Sequence, residues 1–174
     1  MHGGLMEKTA SISLRAVQDE DLLTIRIWLY CERVRKWFTD PEEWLREIRE
    51  RHGEFSFISH FIASSDGTPF AFCQLYPCAP AGEEEFIMYP REGTYSIDYM
   101  IGEDSFVGRG FGKSIVTALV NRVFSMPDAC LVVVKPDADN APSRATLESC
   151  GFTLDPETGV HRLARDDFAH NNPW

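Results

Sequence analysis

The chain has 174 residues, a length typical of one domain, and its 44% apolar and 12% aromatic residues are enough to build a packed core. Its 17 basic and 27 acidic residues give a net charge of −10, which repels a phosphate backbone and an anionic membrane surface. We therefore expect no nucleic acid and no membrane as partner. A small cationic ligand suits this charge, although an acidic composition is also common without such a ligand.

Cysteine and histidine usage argues against a metal and for a reducing compartment. The five cysteines are odd in number and include no C-x-x-C pair, and the five histidines have no ligand spacing. No apolar run approaches the ~20 residues of a membrane helix, and the first residues lack the apolar stretch of a secretory signal. These features predict a cytoplasmic protein without a metal.

Hydrophobic periodicity predicts the elements in the first part of the chain. They are a strand at 11–17, a helix that begins near 19–21, a second helix at 42–51, strands at 55–64 and 69–76 joined by a hairpin turn, an irregular segment at 77–93 and a strand at 94–101.

The second part begins with a glycine-rich turn. After it we predict a helix to about residue 124, a strand at 131–134 covered on both faces, a helix from Asn140 to Gly151, and a closing hairpin of strands at 152–154 and 160–163. This order indicates a mixed α/β domain, with a central, mostly antiparallel twisted sheet of about seven strands flanked by about four helices. We expect a flexible amino terminus at 1–10, the domain at 11–168 and a carboxyl-terminal tail at 169–174.

Three glycines, Gly108, Gly110 and Gly112, stand between a strand and a helix. A phosphate is the first ligand to consider there, because free backbone N–H groups and the helix dipole attract anions. A dinucleotide fingerprint would require Gly at the position of Lys113, and a Walker loop would require Gly at the position of Val107. Taken alone, the pattern also fits a strand–helix turn that binds nothing.

The glycine loop, the following apolar strand, Asn140 and the segment 148–152 (ESCGF) together resemble the GNAT superfamily of acyl-CoA-dependent N-acetyltransferases. The resemblance covers essentially the whole chain and implies a GNAT-like fold with acetyl-CoA as co-substrate. In that family the loop matching 107–112 holds the CoA pyrophosphate through backbone N–H groups. The residue matching Asn140 contacts the pantetheine arm, although Asn140 is equally suited to cap a helix. The resemblance assigns cofactor binding to Ile101, Val107, Gly108, Arg109, Gly110, Phe111, Gly112, Lys113, Asn140 and Ser143.

Two positions depart from the family pattern. Val107 stands where a Gln or Arg usually begins the loop, which removes a side-chain contact but leaves the backbone cradle. Leu147 stands where many members carry a Tyr that protonates the departing thiolate. The general acid is therefore absent, supplied from elsewhere, or unnecessary.

Asp98 is the candidate catalytic base. It lies in an alternating strand, on the face opposite Ile97, Tyr99 and Ile101, and a carboxylate in an apolar strand requires a reason because burying an unpaired charge is costly. Beside a dry thioester pocket its pKa would be raised, which suits a base acting at neutral pH. Pairing with an Arg or with backbone N–H groups is the structural alternative.

The segments 14–22, 37–38 and 74–98 look like those of the aminoglycoside 6'-N-acetyltransferases, an antibiotic-resistance branch of the superfamily. In that branch the acid matching Asp98 is the proposed base, and the loop matching 83–86 lines the site of the cationic antibiotic. The resemblance thus assigns substrate binding to Trp37, Tyr76, Glu83, Phe86, Asp98 and Asp137. The structural alternatives are a solvated loop at 83–85 and core packing for Trp37.

Other functions stay open at this point. Lys135 replaces an acid of the antibiotic-modifying enzymes, and the run 135–140 resembles a branch that acylates lysine-derived siderophore precursors, which usually carries His at the position of Asp98. The missing Tyr also permits a non-catalytic acyl-CoA-binding sensor. We expect a small cationic amine substrate and either a monomer or a homodimer.

Overall fold

Within residues 11–171, the part of the chain that the computed structural model describes, a seven-stranded sheet forms the centre of the fold. Its strands are β1 (Ser13–Ala16), β2 (Ser59–Ser65), β3 (Thr68–Pro77), β4 (Thr94–Ile101), β5 (Leu131–Val134), β6 (Thr153–Leu154) and β7 (His161–Ala164). Their spatial order is β1-β2-β3-β4-β5-β7-β6, in which β4 and β5 are parallel and the other neighbours are antiparallel. The predicted mixed α/β class with a mostly antiparallel sheet is confirmed.

Helices cover both faces of this sheet. They are α1 (Leu22–Tyr30), α2 (Glu32–Arg35), α3 (Pro41–Arg49), the single turn α4 (Cys78–Ala81), α5 (Phe111–Ser125), α6 (Ala141–Ser149) and α7 (Arg165–Asn171). None of these helices is long and apolar enough to cross a membrane.

Strand β4 shows how the sheet separates two hydrophobic cores. Successive side chains of a strand point to opposite faces. Ile97 therefore packs into the core that contains α5, whereas Met100 packs with the buried side chains of α1 and α3. The carboxylate of Asp98 is on the α3 face, and the ring of Tyr99 is on the α5 face.

Three helices begin where the sequence provides a suitable first residue. Asp40 caps α3 by accepting a hydrogen bond from the backbone N–H of Glu43 at 3.1 Å. Asn140 caps α6 in the same way through the N–H of Ser143 at 3.2 Å, as predicted. Gly110 precedes α5 with a φ of 81°, a left-handed conformation that favours glycine.

The structure differs from the prediction in several connecting segments. Residues 55–58, predicted as the beginning of a strand, form turns in which the N–H of Phe55 bonds to the carbonyl of Glu50 and that of Ile58 bonds to Phe55. The sequence predicted neither α2 nor α4 nor α7. Helix α7 includes residues 169–171, where a tail was predicted, because the Arg165 guanidinium holds its first turn through the carbonyls of Phe124 and Ala129 at 2.7 Å. The predicted flexible segment 1–10 and residues 172–174 lie outside the described residues.

Strands β4 and β5 separate after a short parallel pairing. Their ladder joins Thr94–Ser96 to residues 131–133, after which β4 continues to Ile101 while β5 ends at Val134. Among the described residues, no strand pairs with this edge of β4 beyond Ser96. Apart from the Ile101 carbonyl, which accepts a hydrogen bond from Arg33, the backbone N–H and C=O groups along that edge are therefore available to a ligand.

Candidate active site

Three cavities follow one another through the gap between β4 and β5. The first, of about 340 Å³, lies on the α3 face and reaches Asp98; we call it the α3 cavity. The second, of about 140 Å³, is the junction and is lined by both Asp98 and Tyr99. The third, of about 550 Å³, contains Tyr99 and the glycine loop and is called the glycine groove. The two faces of the sheet are thus connected beside Asp98.

Asp98 lies directly opposite Gln74 of β3, whose Nε2 donates a hydrogen bond to Asp98 Oδ2 at 2.9 Å. Burial raises the pKa of Asp98 to about 7; the Gln74 hydrogen bond opposes this shift and the charge of Glu83 adds to it. The partner is a neutral amide and not an Arg, so Asp98 is not half of a structural ion pair. Its carboxyl group is close to half-ionised at neutral pH, as a proton acceptor requires.

The α3 cavity combines acidic and aromatic side chains. Among the described residues, no Lys or Arg lines it, although Arg46 forms an ion pair with one of its acids, Glu43, at 2.7 Å. Its acids are Asp40, Glu43, Glu47, Glu83 and Asp98, and its aromatic residues are Trp44, Phe55, Phe57 and Tyr76. Acidic walls concentrate cations, and aromatic faces attract ammonium groups.

The acidic run after β3 divides into one site residue and two exposed ones. The Tyr76 hydroxyl donates to the carboxylate of Glu83 at 3.0 Å, and burial raises the pKa of Glu83. Glu84 and Glu85 are exposed and do not line the α3 cavity. The alternative of a solvated loop therefore holds for Glu84 and Glu85 but not for Glu83.

Phe86 requires a correction. The sequence placed it in the substrate site, but its side chain is 5% exposed and packs beneath the loop with Cys78, Val133 and Val160. Its aromatic ring is part of a small hydrophobic core and does not line the α3 cavity, because the turn that follows Glu83 directs it inward.

Trp37 and Asp137, also predicted to bind substrate, line the junction and not the α3 cavity. Trp37 is half-buried and lines the glycine groove as well, so it is not a core residue. Lys135 lines the junction beside Asp137, and both side chains are exposed.

The glycine groove is formed around the beginning of α5. Gly108 and Gly110 have φ values of 70° and 81°, and a Cβ at either position would meet no atom within 4 Å. Glycine is therefore favoured at both positions because the backbone is left-handed, and not because a side chain would clash with its neighbours. The N–H groups of Phe111, Gly112 and Lys113 in the first turn have no intrahelical acceptor and are available to an anion.

Most of the predicted cofactor residues come together in this groove. The lining includes Ile101, Val107, Gly108, Gly110, Phe111, Gly112, Lys113, Asn140 and Ser143. Arg109 is the exception: its guanidinium donates to the Ser105 carbonyl at 2.9 Å and lies near the ring of Phe106, so the side chain is directed away from the groove. Asn140 both caps α6 and lines the groove.

The sequence analysis did not predict that residues of α2 line the groove. Arg33 donates to the carbonyls of Ile101 at 2.7 Å and Gly102 at 3.3 Å, and it forms an ion pair with Asp104 at 2.9 Å. These bonds fasten α2 to the end of β4, and Arg33 itself lines the groove. A four-residue helix has too little periodicity to be detected from sequence.

Comparison with known proteins identifies the family. A family model described as acetyltransferase (GNAT) domain matches residues 17–160. Curated aminoglycoside N(6')-acetyltransferases type 1 from Klebsiella pneumoniae and Serratia marcescens are each 24% identical over 148 residues, which cover 82% of this chain and 74% of theirs.

Solved structures share the fold. Aminoglycoside acetyltransferase AAC(6')-Ib in complex with coenzyme A superposes with a TM-score of 0.82 at 21% identity, covering 94% of this chain and 100% of that one. Spermidine N-acetyltransferase from Vibrio cholerae, in complex with CoA and spermine, superposes with a TM-score of 0.70 at 13% identity, covering 90% and 97%. The glycine loop, the gap after Ser96 and the family match agree, and they confirm the resemblance found in the sequence: the chain belongs to the GNAT family of acetyltransferases.

Proposed function

We propose that this acetyltransferase transfers the acetyl group of acetyl-CoA to a primary amine of a small polycationic substrate, of the aminoglycoside 6' type. The observation that carries the proposal is the position of Asp98, which joins an acid-lined cavity on one face of the sheet to the groove that leads to the glycine loop.

The donor side is suited to a long, phosphate-bearing thioester. The left-handed Gly108 and Gly110 leave the first N–H groups of α5 open to a pyrophosphate. The unpaired edge of β4 beyond Ser96 offers backbone partners to the two amides of a pantetheine arm, which would lie along it as an added strand. The thioester would then reach the junction next to Asp98.

The acceptor side is suited to an amine that arrives as an ammonium ion. The acids of the α3 cavity attract it. The ammonium ion releases one proton to solvent before it can attack, and the nitrogen loses a second proton as the amide forms; Asp98, with a pKa of about 7, accepts this second proton. The Oε1 atom of Gln74 is buried and has no hydrogen-bond partner within residues 11–171, so it can accept an N–H of the bound amine. The nitrogen attacks the thioester carbonyl, a C–N bond forms, and the C–S bond breaks.

A lysine-derived substrate is the second candidate, and a specific observation favours it. Lys135 lines the junction near Asp98, where its positive charge would repel an ammonium group and attract a carboxylate of the substrate. The names of the curated relatives support the aminoglycoside type over this candidate.

An amine screen with acetyl-CoA tests the proposal. The panel contains two aminoglycosides that differ only in an amine or a hydroxyl at the 6' carbon, an N-hydroxylated lysine, spermidine and a neutral monoamine. We expect acetylation, measured by thiol release and product mass, to be fastest with the 6'-amine compound and to be lost with its 6'-hydroxyl partner.

Three results would contradict the proposal. Equal rates for the two aminoglycosides would exclude the 6' position. Preference for the lysine derivative would favour the second candidate. Acetyl-CoA binding by calorimetry without acetylation of any amine would favour a non-catalytic acyl-CoA-binding sensor.

A further inference from the structure

Aminolysis of a thioester expels a thiolate, which is released more easily if a proton reaches the sulfur as the C–S bond breaks. Leu147 cannot supply that proton: its side chain is apolar and completely buried in the main core. If the protein is the acetyltransferase proposed above, on which this inference rests, the proton donor is a different residue.

The place where the sulfur must lie is defined by the overlap of two cavities. The side chains that line both the junction and the glycine groove are Trp37, Phe38, Tyr99, Asn140 and Ser143. A thioester held in the groove and attacked beside Asp98 passes between them. Within this set, Tyr99 and Ser143 carry hydroxyl groups, and a phenol is a much stronger acid than an aliphatic alcohol.

Tyr99 is held in a defined position. Its hydroxyl lies 3.3 Å from Ser143 Oγ in the first turn of α6. Its ring lies beside Gly112 of α5: a Cβ atom added to Gly112 would be 3.7 Å from Tyr99 Cε2. The side chain is half-buried between the two helices, and Tyr99 and its partner Ser143 both line the junction and the glycine groove.

Asp98 and Tyr99 are consecutive on β4 and point to opposite faces of the sheet, yet both line the junction. This is possible because β5 ends at Val134 and leaves the gap open from face to face. A base on the acceptor side and an acid on the donor side can therefore act on one reacting centre.

We propose that Tyr99 is the general acid of the reaction and donates its phenolic proton to the CoA sulfur. The amine nitrogen forms the C–N bond, the electron pair of the C–S bond moves to sulfur, and the Tyr99 proton converts the leaving thiolate into a thiol. The attacking species is the free amine, and the excess proton that its nitrogen carries once the C–N bond has formed passes to Asp98. Net transfer of one proton from Asp98 to the Tyr99 phenolate through solvent restores both groups.

The electrostatic environments agree with this division of roles. Burial raises the pKa of the Tyr99 phenol above its ordinary value of 10, so the hydroxyl keeps its proton at neutral pH. Burial also raises the pKa of Asp98, but only to about 7. Between the pKa of Asp98 and that of the phenol, the acid is protonated and the base is ionised at the same time.

Tyr99→Phe removes the hydroxyl and keeps the ring. We expect kcat to fall about 100-fold, at the lower end of general acid catalysis because a thiolate is a good leaving group, while the Kd of acetyl-CoA is unchanged. Tyr95→Phe is the matched control: Tyr95 lies on the same strand and face, its hydroxyl bonds to Asp128 at 3.2 Å, and it lines none of the three cavities. This control should keep wild-type kcat.

A donor with a better leaving group separates acid catalysis from a structural role. With the acetyl selenoester of CoA, the selenolate leaves without protonation, so the ratio of wild-type to Tyr99→Phe kcat should fall close to one. A ratio as large as with the thioester would overturn the proposal, and so would full thioester activity in Tyr99→Phe. Both results leave acetylation by the wild type, and hence the proposed function, intact.

Discussion

The glycine groove and the α3 cavity differ in whether backbone groups or side chains are offered to a ligand. At the glycine loop and along β4 the groove presents backbone groups: left-handed glycines, the N–H groups at the beginning of α5 and the edge of β4 beyond Ser96. The α3 cavity presents side chains from α3, the turns at 55–58, β3, β4 and the loop at 83. A backbone site depends on conformation and tolerates many side chains, whereas a side-chain site changes its chemistry with each substitution. We therefore expect donor binding and acceptor chemistry to respond separately to mutation.

The largest expected effect separates the chemical step from donor binding. Asp98→Asn keeps the size of the side chain and removes the proton acceptor, so kcat should fall by roughly 10²–10⁴-fold while the Kd of acetyl-CoA stays unchanged. In the wild type, kcat/KM should rise with pH through about 7 as Asp98 of the free enzyme ionises, and the variant should lose this limb. An unchanged kcat would make Asp98 a structural residue.

Stability provides the control for this variant. The pKa of Asp98 is about 7 in the fold and 3.8 as its ordinary value, so the folded state binds more protons between these values and loses stability as the pH rises from 4 to 7. Asp98→Asn removes the penalty of burying the charge. At pH 8 it should melt at or above the temperature of the wild type in calorimetry, which shows that lost activity is not lost folding.

The next effect tests the backbone site. Gly110→Asp places a negative charge at the helix N-terminus, where the phosphates must approach, and should raise the Kd of acetyl-CoA about 100-fold, equivalent to about 2.7 kcal/mol. Gly67→Asp is the matched control, because Gly67 has a φ of 78° and equally open surroundings in the β2–β3 hairpin. Both variants carry the same left-handed strain, so calorimetric titration with acetyl-CoA should distinguish them. Equal affinities would place the pyrophosphate elsewhere.

The smallest effect concerns the acceptor. Glu83→Gln keeps an acceptor for the Tyr76 hydroxyl but removes a half-buried charge, and the KM of a polycationic amine should rise about five- to tenfold, or about 1 kcal/mol, at constant kcat. Glu84→Gln makes the same charge change at an exposed position outside the cavity and should have little effect. Added salt should raise KM more in the wild type than in Glu83→Gln. Identical KM values for the two variants would mean that only net charge matters.

The features that could be predicted from the sequence are those that depend on residues close together in the chain. Strand β4 and the cap Asn140 were predicted at the observed residues, and the glycine loop was located, because each depends on neighbours within a few positions. Asp98 was identifiable because a carboxylate in an apolar strand stands out. The departure from the family at Leu147 was also readable, since it is a single position.

The lining of the α3 cavity was harder to predict from the sequence. Glu47 and Phe57 reach it only because α3 and the following turns fold over β3, and neither residue has a local signal. Phe86 and Glu83 are three residues apart in one loop, yet one is core and the other lines the cavity. Tyr99 could be assigned to a face, but not to the overlap of two cavities, because that depends on where β5 ends.

The early end of β5 also has a consequence for the order of events in catalysis. Under the proposed function, acetyl-CoA enters the glycine groove and the amine enters the α3 cavity, from opposite faces of the sheet, and the two meet at the junction beside Asp98. The acetylated amine would then be able to leave through the α3 cavity while CoA still occupies the groove, and CoA would be able to leave first. We therefore expect intersecting lines in initial-rate plots, as for any sequential mechanism, and product-inhibition patterns of random and not ordered release.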